Sequence, residues 1–395
     1  MYSVLANRQR TTIDSWRTVH LGTILDEAGH PDFFIDQESL ERHTIVFGGT
    51  RFGKSKLFER FGRELIDTGR GFAFIDPHSD TADDLLAYLA SKSDQLGFLQ
   101  GNIHYLNPSE RLFSFDPFQY HRDPDDPSAD TDFRYRSWLH TKIKDMVNII
   151  VRQQGETEDE KQKMVRLKRW LYNALYAVGV RHDHAGTHLP LRDAFALLNP
   201  AHPRHQELFE RVEPFLSEEV RADFEKLRAT RDPRKQEDWV ESTVNRLRDI
   251  LSPIVERIFN LETPTIDFRE IIRRNGVILA ALGKTPYFHE DEALAIAGLL
   301  IREISEAART AKRPDRRQYH MFIDEAQSFL GEDLLRILKE SAKYKLSLGL
   351  AVQGLDNLQK GDIDLVPAVL GQCAVRITFR QQYHEHAEFL AKSFC

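Results

Sequence analysis

The chain has 395 residues, of which 41% are hydrophobic and 29% are charged, and its formal net charge is −7. This composition is ordinary for a globular protein with a sizeable core, and the length predicts two or three domains. The acidic balance excludes a basic surface over the whole molecule, so contact with nucleic acid would need a local patch. Two cysteines exclude a disulfide framework and favour a reducing compartment.

The sequence lacks the patterns that carry a protein into or across a membrane. No apolar run approaches the roughly 18 residues that a membrane-spanning helix needs, and the first residues lack the apolar core of a secretory signal. We therefore expect a cytoplasmic protein with no transmembrane segment of its own. It could still dock at the inner face of the membrane through a partner.

Residues 1–43 are polar, with short groups of β-forming residues separated by glycine turns. This pattern predicts a small N-terminal β-rich segment. Residues 44–47 are β-branched or aromatic and predict a buried strand, and the amphipathic residues after Ser55 predict a helix.

Between that strand and that helix lies the sequence GGTRFGKS, residues 48–55. It matches the phosphate-binding pattern G-x-x-x-x-G-K-[ST] in the strand–loop–helix context that the pattern requires. Backbone N–H groups and the positive end of the helix would face the phosphates of ATP. We predict that Lys54 contacts the β- and γ-phosphates and acts in catalysis, and that Ser55 binds Mg²⁺. The predicted nucleotide-binding residues are Gly48, Thr50, Gly53, Lys54 and Ser55.

The next predicted strand, residues 72–76, ends at the carboxylate of Asp76. Ligands of open α/β sheets bind at the carboxyl ends of the strands, so Asp76 and His78 are candidates for the same site. The alternative is a strand-end turn in which the Asp76 side chain caps backbone N–H groups.

From about residue 119 to residue 240 the extended apolar runs give way to helical periodicity. We interpret this stretch as an all-α domain inserted into an α/β domain. The predicted organisation is an N-terminal segment, 1–43, an α/β domain in two parts, 44–118 and 241–395, and the insertion, 119–240.

A second chemical landmark lies at residues 319–327, where a mostly apolar run ends in Asp324 and Glu325. Downstream of the glycine-rich loop, this is the Walker B pattern. Asp324 would orient Mg²⁺ or its water shell. Glu325 would polarise the attacking water, a role that suits a carboxylate near the γ-phosphate.

The last two predicted strands end in polar residues. Residues 346–352 end at Gln353, whose amide could act in catalysis by bonding the γ-phosphate or the water. Residues 374–380 carry Arg376 and Arg380 on one face, because side chains alternate along a strand. Either arginine could contact nucleotide or a neighbouring subunit, and the alternative is an ordinary ion pair.

The order of these motifs resembles the FtsK/HerA superfamily of ring translocases. The sequences GGTRFGKS, FIDPHSD, ESTVNRL, FIDEAQ and LAVQ carry the resemblance, which is strongest to conjugative coupling ATPases of the TraG/TraD kind and to type IV secretion ATPases. It covers about residues 20–395. It implies a RecA-like P-loop NTPase domain with a mainly parallel central sheet, an inserted all-α domain and a small N-terminal β segment.

The resemblance also implies partners. It implies a homohexameric ring with ATP at the subunit interfaces and DNA in the central channel, together with a relaxase or type IV secretion channel proteins. Relatives often carry Arg-Lys where this chain has Ala342-Lys343, and that arginine can act on the neighbouring subunit's nucleotide. The candidates to replace it in trans are Arg246, Lys343, Arg376 and Arg380.

The function predicted from the sequence is an ATP-hydrolysing DNA translocase of the conjugative coupling or type IV secretion type. Two alternatives stay open. One is a HerA-like translocase for DNA end processing or phage defence, which a neighbouring nuclease gene would indicate. The other is a nucleotide-gated scaffold that binds ATP without moving DNA, which a lack of DNA-stimulated ATP hydrolysis would indicate.

Overall fold

The structure is a computed structural model of the chain. It describes residues 18–23, 32–92, 97, 101–110, 113–120, 131–151, 158–182, 187–259, 264–311, 314, 316–360, 363–381 and 383–393. Two compact units form. The first comprises Met1–Asn107, Phe268–Thr285 and Leu300–Cys395, and the second comprises Pro108–Asp267 and Pro286–Leu299.

Strands and helices alternate along much of the chain. The strands are β1 (Thr18–Thr23), β2 (Asp32–Asp36), β3 (His43–Phe47), β4 (Phe72–Asp76), β5 (Ile103–Leu106), β6 (Val277–Ala281), β7 (Tyr319–Ile323), β8 (Leu346–Val352), β9 (Gln359–Lys360), β10 (Ile363–Asp364) and β11 (Cys373–Thr378). The helices are α1 (Gln37–Leu40), α2 (Lys54–Asp67), α3 (Asp80–Ser91), α4 (Thr131–Val151), α5 (Glu158–Gly179), α6 (Asp193–Leu198), α7 (His205–Val212), α8 (Glu218–Ala229), α9 (Pro233–Ile250), α10 (Pro253–Ile258), α11 (Phe268–Arg273), α12 (Glu290–Arg309), α13 (Glu332–Glu340), α14 (Val366–Gln372) and α15 (His384–Ser393).

Seven strands of the first unit form one sheet in the order β11-β3-β8-β7-β4-β6-β5, and every pairing in it is parallel. All residues of β3, β4, β6, β7 and β8 are buried, as expected for a parallel sheet that is covered on both faces. The strands β1 and β2 form a separate antiparallel pair. Because the seven strands run in one direction, the loops that follow β3, β8, β7 and β4 meet at the same edge of the sheet.

An aromatic cluster holds α2 against this sheet. Phe58 and Phe61 of α2 contact Phe322 of β7, with ring centroids 5.2 and 5.9 Å apart. Phe72 and Phe74 of β4 contact the same ring at 6.1 and 6.4 Å. All five rings are buried, so apolar packing sets the position of α2 on the sheet.

The second unit contains the helices α4 to α10. Its limits differ from the predicted insertion, 119–240, because the unit begins at Pro108 and its first segment continues to Asp267. The predicted boundary at residue 240 falls inside α9, whose buried residues lie from that position onward. Val240, Leu247 and Ile250 are all buried along it.

The helical stretch from Pro233 to Ile258 is two helices, α9 and α10. Ser252 ends the run because its Oγ accepts a hydrogen bond from Val255 N at 3.4 Å, which makes it the N-cap of α10. Pro253 then occupies the first position of α10, where a missing N–H is tolerated. Among the residues described, no helix combines the length and the apolar surface that crossing a bilayer requires.

Candidate nucleotide-binding site

The glycine-rich loop joins the end of β3 to the start of α2. Gly48 N donates a hydrogen bond to Val352 O of β8 at 3.1 Å, which fixes the loop to the neighbouring strand. Gly53 has φ 100°, a left-handed conformation that favours glycine, and α2 begins at the next residue, Lys54. The positive end of α2 therefore lies at the loop, as an anion site requires.

Phe379 supports this loop and was not identified from the sequence. A Cβ at Gly48 would lie only 2.9 Å from Phe379 Cβ, and a Cβ at Gly53 would lie 3.7 Å from the same ring. Phe379 N also donates a hydrogen bond to Phe47 O at 2.7 Å. Only the pairing of β11 with β3, which lie far apart in the sequence, places this ring against the loop.

The functional side chains of the loop differ in exposure. Lys54 is 5% exposed, and its Nζ donates a hydrogen bond to Gly49 O at 3.2 Å. Thr50 is exposed, and so is Arg51, which has φ 66°. A buried ammonium group beside the positive end of a helix forms a strong site for an anion.

Asp324 brings the second motif to this loop. It directly follows β7 and is 3% exposed. Its Oδ2 accepts a hydrogen bond from Ser55 Oγ at 2.6 Å, although the two residues lie 269 positions apart. Its Oδ1 accepts a hydrogen bond from Glu325 N at 2.9 Å. The structure therefore brings together the two residues for which a Mg²⁺ role is predicted.

Glu325 lies next to Asp324 with a left-handed backbone, φ 49°. Its Oε2 accepts hydrogen bonds from Gln353 Nε2, at 3.0 Å, and from Gln327 Nε2. Gln353 thus contacts the predicted catalytic carboxylate, and its contact with a γ-phosphate stays a prediction. Gln327 was not singled out from the sequence, where its only signal is its place in the FIDEAQ motif.

Asp76 lies at the end of β4, beside β7, and is 1% exposed. Its Oδ1 accepts a hydrogen bond from His78 N at 2.9 Å, and its Oδ2 accepts from Thr81 N and Ala82 N at 2.9 and 3.0 Å. Burial raises the pKa of Asp76, and the nearby carboxylate of Asp324 also raises it. The side chain therefore caps α3, as in the alternative considered from the sequence. His78 is exposed.

Two of the candidate trans-acting arginines are engaged inside their own units. Arg246 is 6% exposed, and its Nε donates a hydrogen bond to Ile150 O at 2.8 Å. Arg376 is half-buried, and its Nε donates a hydrogen bond to Cys373 O at 3.2 Å. Both guanidinium groups stabilise the backbone of the chain that carries them.

The other two candidates are more accessible. Lys343 is exposed and forms an ion pair with Glu340, with 3.9 Å between Nζ and Oε2. Arg380 is exposed just beyond the end of β11, and its side chain makes no polar contact with other described residues. A role on a neighbouring subunit stays a prediction for each of them.

The oxygen donors of Ser55 and Asp324 suit Mg²⁺ that is also bound to a phosphate. Ser55 Oγ and Asp324 Oδ2 are hard oxygen donors, and Mg²⁺ is usually bound by one or two such protein groups together with phosphate oxygens and waters. Within the described ranges, no group of three or more His, Cys, Asp or Glu residues could hold a metal ion by itself. The residues present therefore suit an ion that binds with a nucleotide.

Comparison with known proteins gives relatives in structure and none in sequence. No protein-family model matches the chain, and no curated protein matches it. The structure of the conjugative coupling protein TrwBdeltaN70, in an unbound monoclinic form, is 15% identical with a TM-score of 0.49, over 82% of this chain and 65% of that chain. TrwB in complex with ADP and Mg²⁺ is 17% identical with a TM-score of 0.48, over 91% of this chain and 70% of that chain. This chain thus spans less than two thirds of the first of these structures.

VirB4 of Thermoanaerobacter pseudethanolicus gives a fuller match. It is 13% identical with a TM-score of 0.54, and the match covers 95% of this chain and 87% of VirB4. Likeness at this identity concerns the fold. The predicted fold class is confirmed: this chain has the RecA-like P-loop ATPase fold that VirB4 has.

Proposed function

We propose that this chain is a Mg²⁺-dependent ATPase that drives DNA transport in conjugation or type IV secretion. The observation that carries the ATPase part is the 2.6 Å hydrogen bond between Ser55 Oγ and Asp324 Oδ2. It joins the glycine-rich loop to the acidic pair, and P-loop enzymes that transfer phosphoryl groups combine these two parts.

Each side chain of the site has one role in this proposal. Bound Mg²⁺ supplies charge neutralisation at the phosphate oxygens. Lys54 holds the β- and γ-phosphates through its ammonium group, and Ser55 and Asp324 hold the metal or its water shell. Glu325 accepts a hydrogen bond from the attacking water and polarises it. Gln353 donates to Glu325 and orients it.

The transport part of the proposal is supported by the order of the motifs and by the VirB4 fold. In this proposal the active form is a homohexamer with ATP between subunits and DNA in its channel. A relaxase or secretion channel proteins would present the cargo. Arg380 is the candidate to reach the neighbouring subunit's nucleotide, because its guanidinium group is exposed.

Two substitutions test the ATPase part. Lys54→Ala and Glu325→Gln should each abolish ATP turnover, and the Glu325→Gln protein should still bind ATP because the phosphate contacts remain. Lys56→Ala is the matched control, since Lys56 lies on the same helix but is exposed and paired with Glu59 and Asp84. Retained turnover in both active-site variants would refute the assignment of ATP hydrolysis to this site.

DNA-stimulated ATP hydrolysis tests the transport part. Duplex or single-stranded DNA should raise kcat, and the apparent affinity for DNA should fall steeply with salt as phosphate contacts release counterions. Hydrolysis that DNA leaves unchanged would favour the nucleotide-gated scaffold over a translocase.

A further inference from the structure

The carboxylate of Glu325 is held unevenly. Its Oε2 accepts hydrogen bonds from two amides, Nε2 of Gln327 and Nε2 of Gln353. Its Oε1 accepts none from the other residues that the structure describes. The two donors come from different elements, because Gln327 lies in the short turn after β7 and Gln353 lies at the end of β8.

The backbone around Glu325 is also fixed. Glu325 N donates to Asp324 Oδ1 at 2.9 Å, and Ser328 N donates to Glu325 O at 2.9 Å. The left-handed φ of 49° is a conformation that non-glycine residues adopt only when their surroundings favour it. Backbone and side-chain contacts together therefore leave one oxygen of Glu325 for an outside partner.

Gln327 shows an asymmetry of its own. Its Nε2 donates to Glu325, while its Oε1 is buried and accepts no hydrogen bond from the described residues. A buried acceptor without a partner is unfavourable. The contact that the structure does provide is the donation to the carboxylate.

We propose that Gln327 is a positioning residue for Glu325. Together with Gln353 it fixes Oε2, and this leaves Oε1 to face the attacking water. The inference rests on the proposed ATPase function and assigns to that site a residue that acts through Glu325. The orientation of the Glu325 carboxylate matters because a general base speeds the reaction only when it lies within hydrogen-bond reach of the attacking water.

Two variants separate the donor from the shape of the side chain. Gln327→Met keeps nearly the length of the side chain and removes the N–H donor, while Gln327→Leu removes both polar atoms from a shorter side chain. Each should lower kcat by about 10- to 100-fold, because a catalytic group misplaced by about 1 Å can cost up to about 100-fold. The dissociation constant for Mg·ADP should stay within about twofold of the wild type, because Gln327 is not a phosphate ligand in this account.

The control is Ser328→Ala, an exposed residue of the same turn whose hydroxyl forms no hydrogen bond with Glu325. It should leave both kcat and the dissociation constant unchanged. Wild-type kcat in both Gln327 variants would overturn the inference. A fall in kcat accompanied by an equal loss of nucleotide affinity and a large loss of thermal stability would overturn it too, since that is the signature of a residue needed only for folding.

A double-mutant cycle tests the contact without any turnover. In the nucleotide-free protein, the thermal midpoint should fall less for Glu325→Ala combined with Gln327→Leu than for the two single changes added together. Additive losses would contradict the contact. If the wild type does not hydrolyse ATP, the proposed function fails, and this cycle still decides whether Gln327 holds Glu325.

Discussion

Two aspartates at the ends of adjacent strands have different surroundings. Asp76 is the last residue of β4 and Asp324 directly follows β7. The two strands pair directly, and both side chains are almost fully buried. The oxygens of Asp76 accept hydrogen bonds from three backbone N–H groups, one in the turn before α3 and two in its first turn. One oxygen of Asp324 instead accepts the hydroxyl of Ser55, at the start of α2.

The difference shows that the position of a carboxylate at a strand end does not decide its role. After β4 a three-residue turn leads into α3, and the backbone N–H groups of His78, Thr81 and Ala82 all reach Asp76. After β7 only one local backbone N–H group among the described residues, that of Glu325, reaches Asp324, and its other oxygen accepts the hydroxyl of Ser55 from a distant helix. We infer that a strand-end carboxylate is available for a metal where the following helix does not use it.

The largest expected effect separates the two aspartates by activity. Asp324→Asn should lower kcat by roughly 10³-fold or more, because a metal ligand beside the phosphates stabilises charge in the transition state. Its thermal midpoint should change little. Asp76→Asn, the same change on the neighbouring strand, should keep most of its turnover at temperatures where it is folded. Equal loss of kcat in both variants, measured by steady-state ATP hydrolysis, would break the comparison.

The reverse ranking is expected for stability. Asp76→Ala removes the acceptor for three buried or half-buried N–H groups, so the free energy of unfolding should fall by about 2–3 kcal/mol. Urea unfolding measures it. Asp80→Ala is the control, because Asp80 is an exposed carboxylate in the first turn of the same helix. A loss at Asp76 no larger than the loss at Asp80 would contradict the capping role.

The dependence of stability on pH tests the burial of the Asp76 carboxyl group. Burial raises the pKa of Asp76 above its ordinary value of 3.8. The folded protein then binds more protons than the unfolded chain between the two pKa values. The stability contributed by this group is therefore fully present below pH 3.8 and is lost as the pH rises through the folded-state pKa.

The substitution Asp76→Asn removes this titration. The unfolding free energy of the Asn variant minus that of the wild type should become more positive as the pH rises through that window. Urea unfolding between acidic and neutral pH measures the difference, with Asp80→Asn as the control for loss of one charge. A difference that is constant with pH would show that burial of the Asp76 charge does not affect stability.

The smallest expected effect concerns the loop after β4. Ser79 has φ 74°, and its Oγ accepts a hydrogen bond from Gly283 N at 2.6 Å. Ser79→Ala keeps the left-handed strain and loses the bond, so it should lower the free energy of unfolding by roughly 1–2 kcal/mol. Ser79→Gly relieves the strain as it loses the bond and should change stability by less than about 1 kcal/mol. A glycine variant less stable than the alanine variant, by urea unfolding, would contradict this account.

Local patterns predicted much of the fold. The predicted limits of β4 and β8 agree with the structure, because each is a short apolar run with a polar residue at its end. The glycine-rich loop was predicted together with its strand and helix, since all three parts are contiguous in the sequence. The start of α10 carries an ordinary sequence signal for a new helix, Ser252 followed by Pro253.

Long-range contacts account for the rest. Phe379 meets Gly48 because β11 lies beside β3, and strand order is not contained in hydrophobic periodicity. Gln327 meets Glu325 because of a left-handed residue in a turn, and the sequence carries no clear sign of that conformation. The sequence left open whether Asp76 lines the site or caps backbone N–H groups, and only the positions of the amides that follow it reveal the capping contacts.

The most direct test is a crystal structure of this chain with ADP and Mn²⁺, with the metal located by its anomalous signal. The account predicts one Mn²⁺ ion bonded to Ser55 Oγ at about 2.1–2.2 Å, with Asp324 bound to it directly or through one water. It also predicts the β-phosphate at the amino end of α2, against the Lys54 ammonium group. A metal bound at Asp76, or phosphates away from the amino end of α2, would contradict the account.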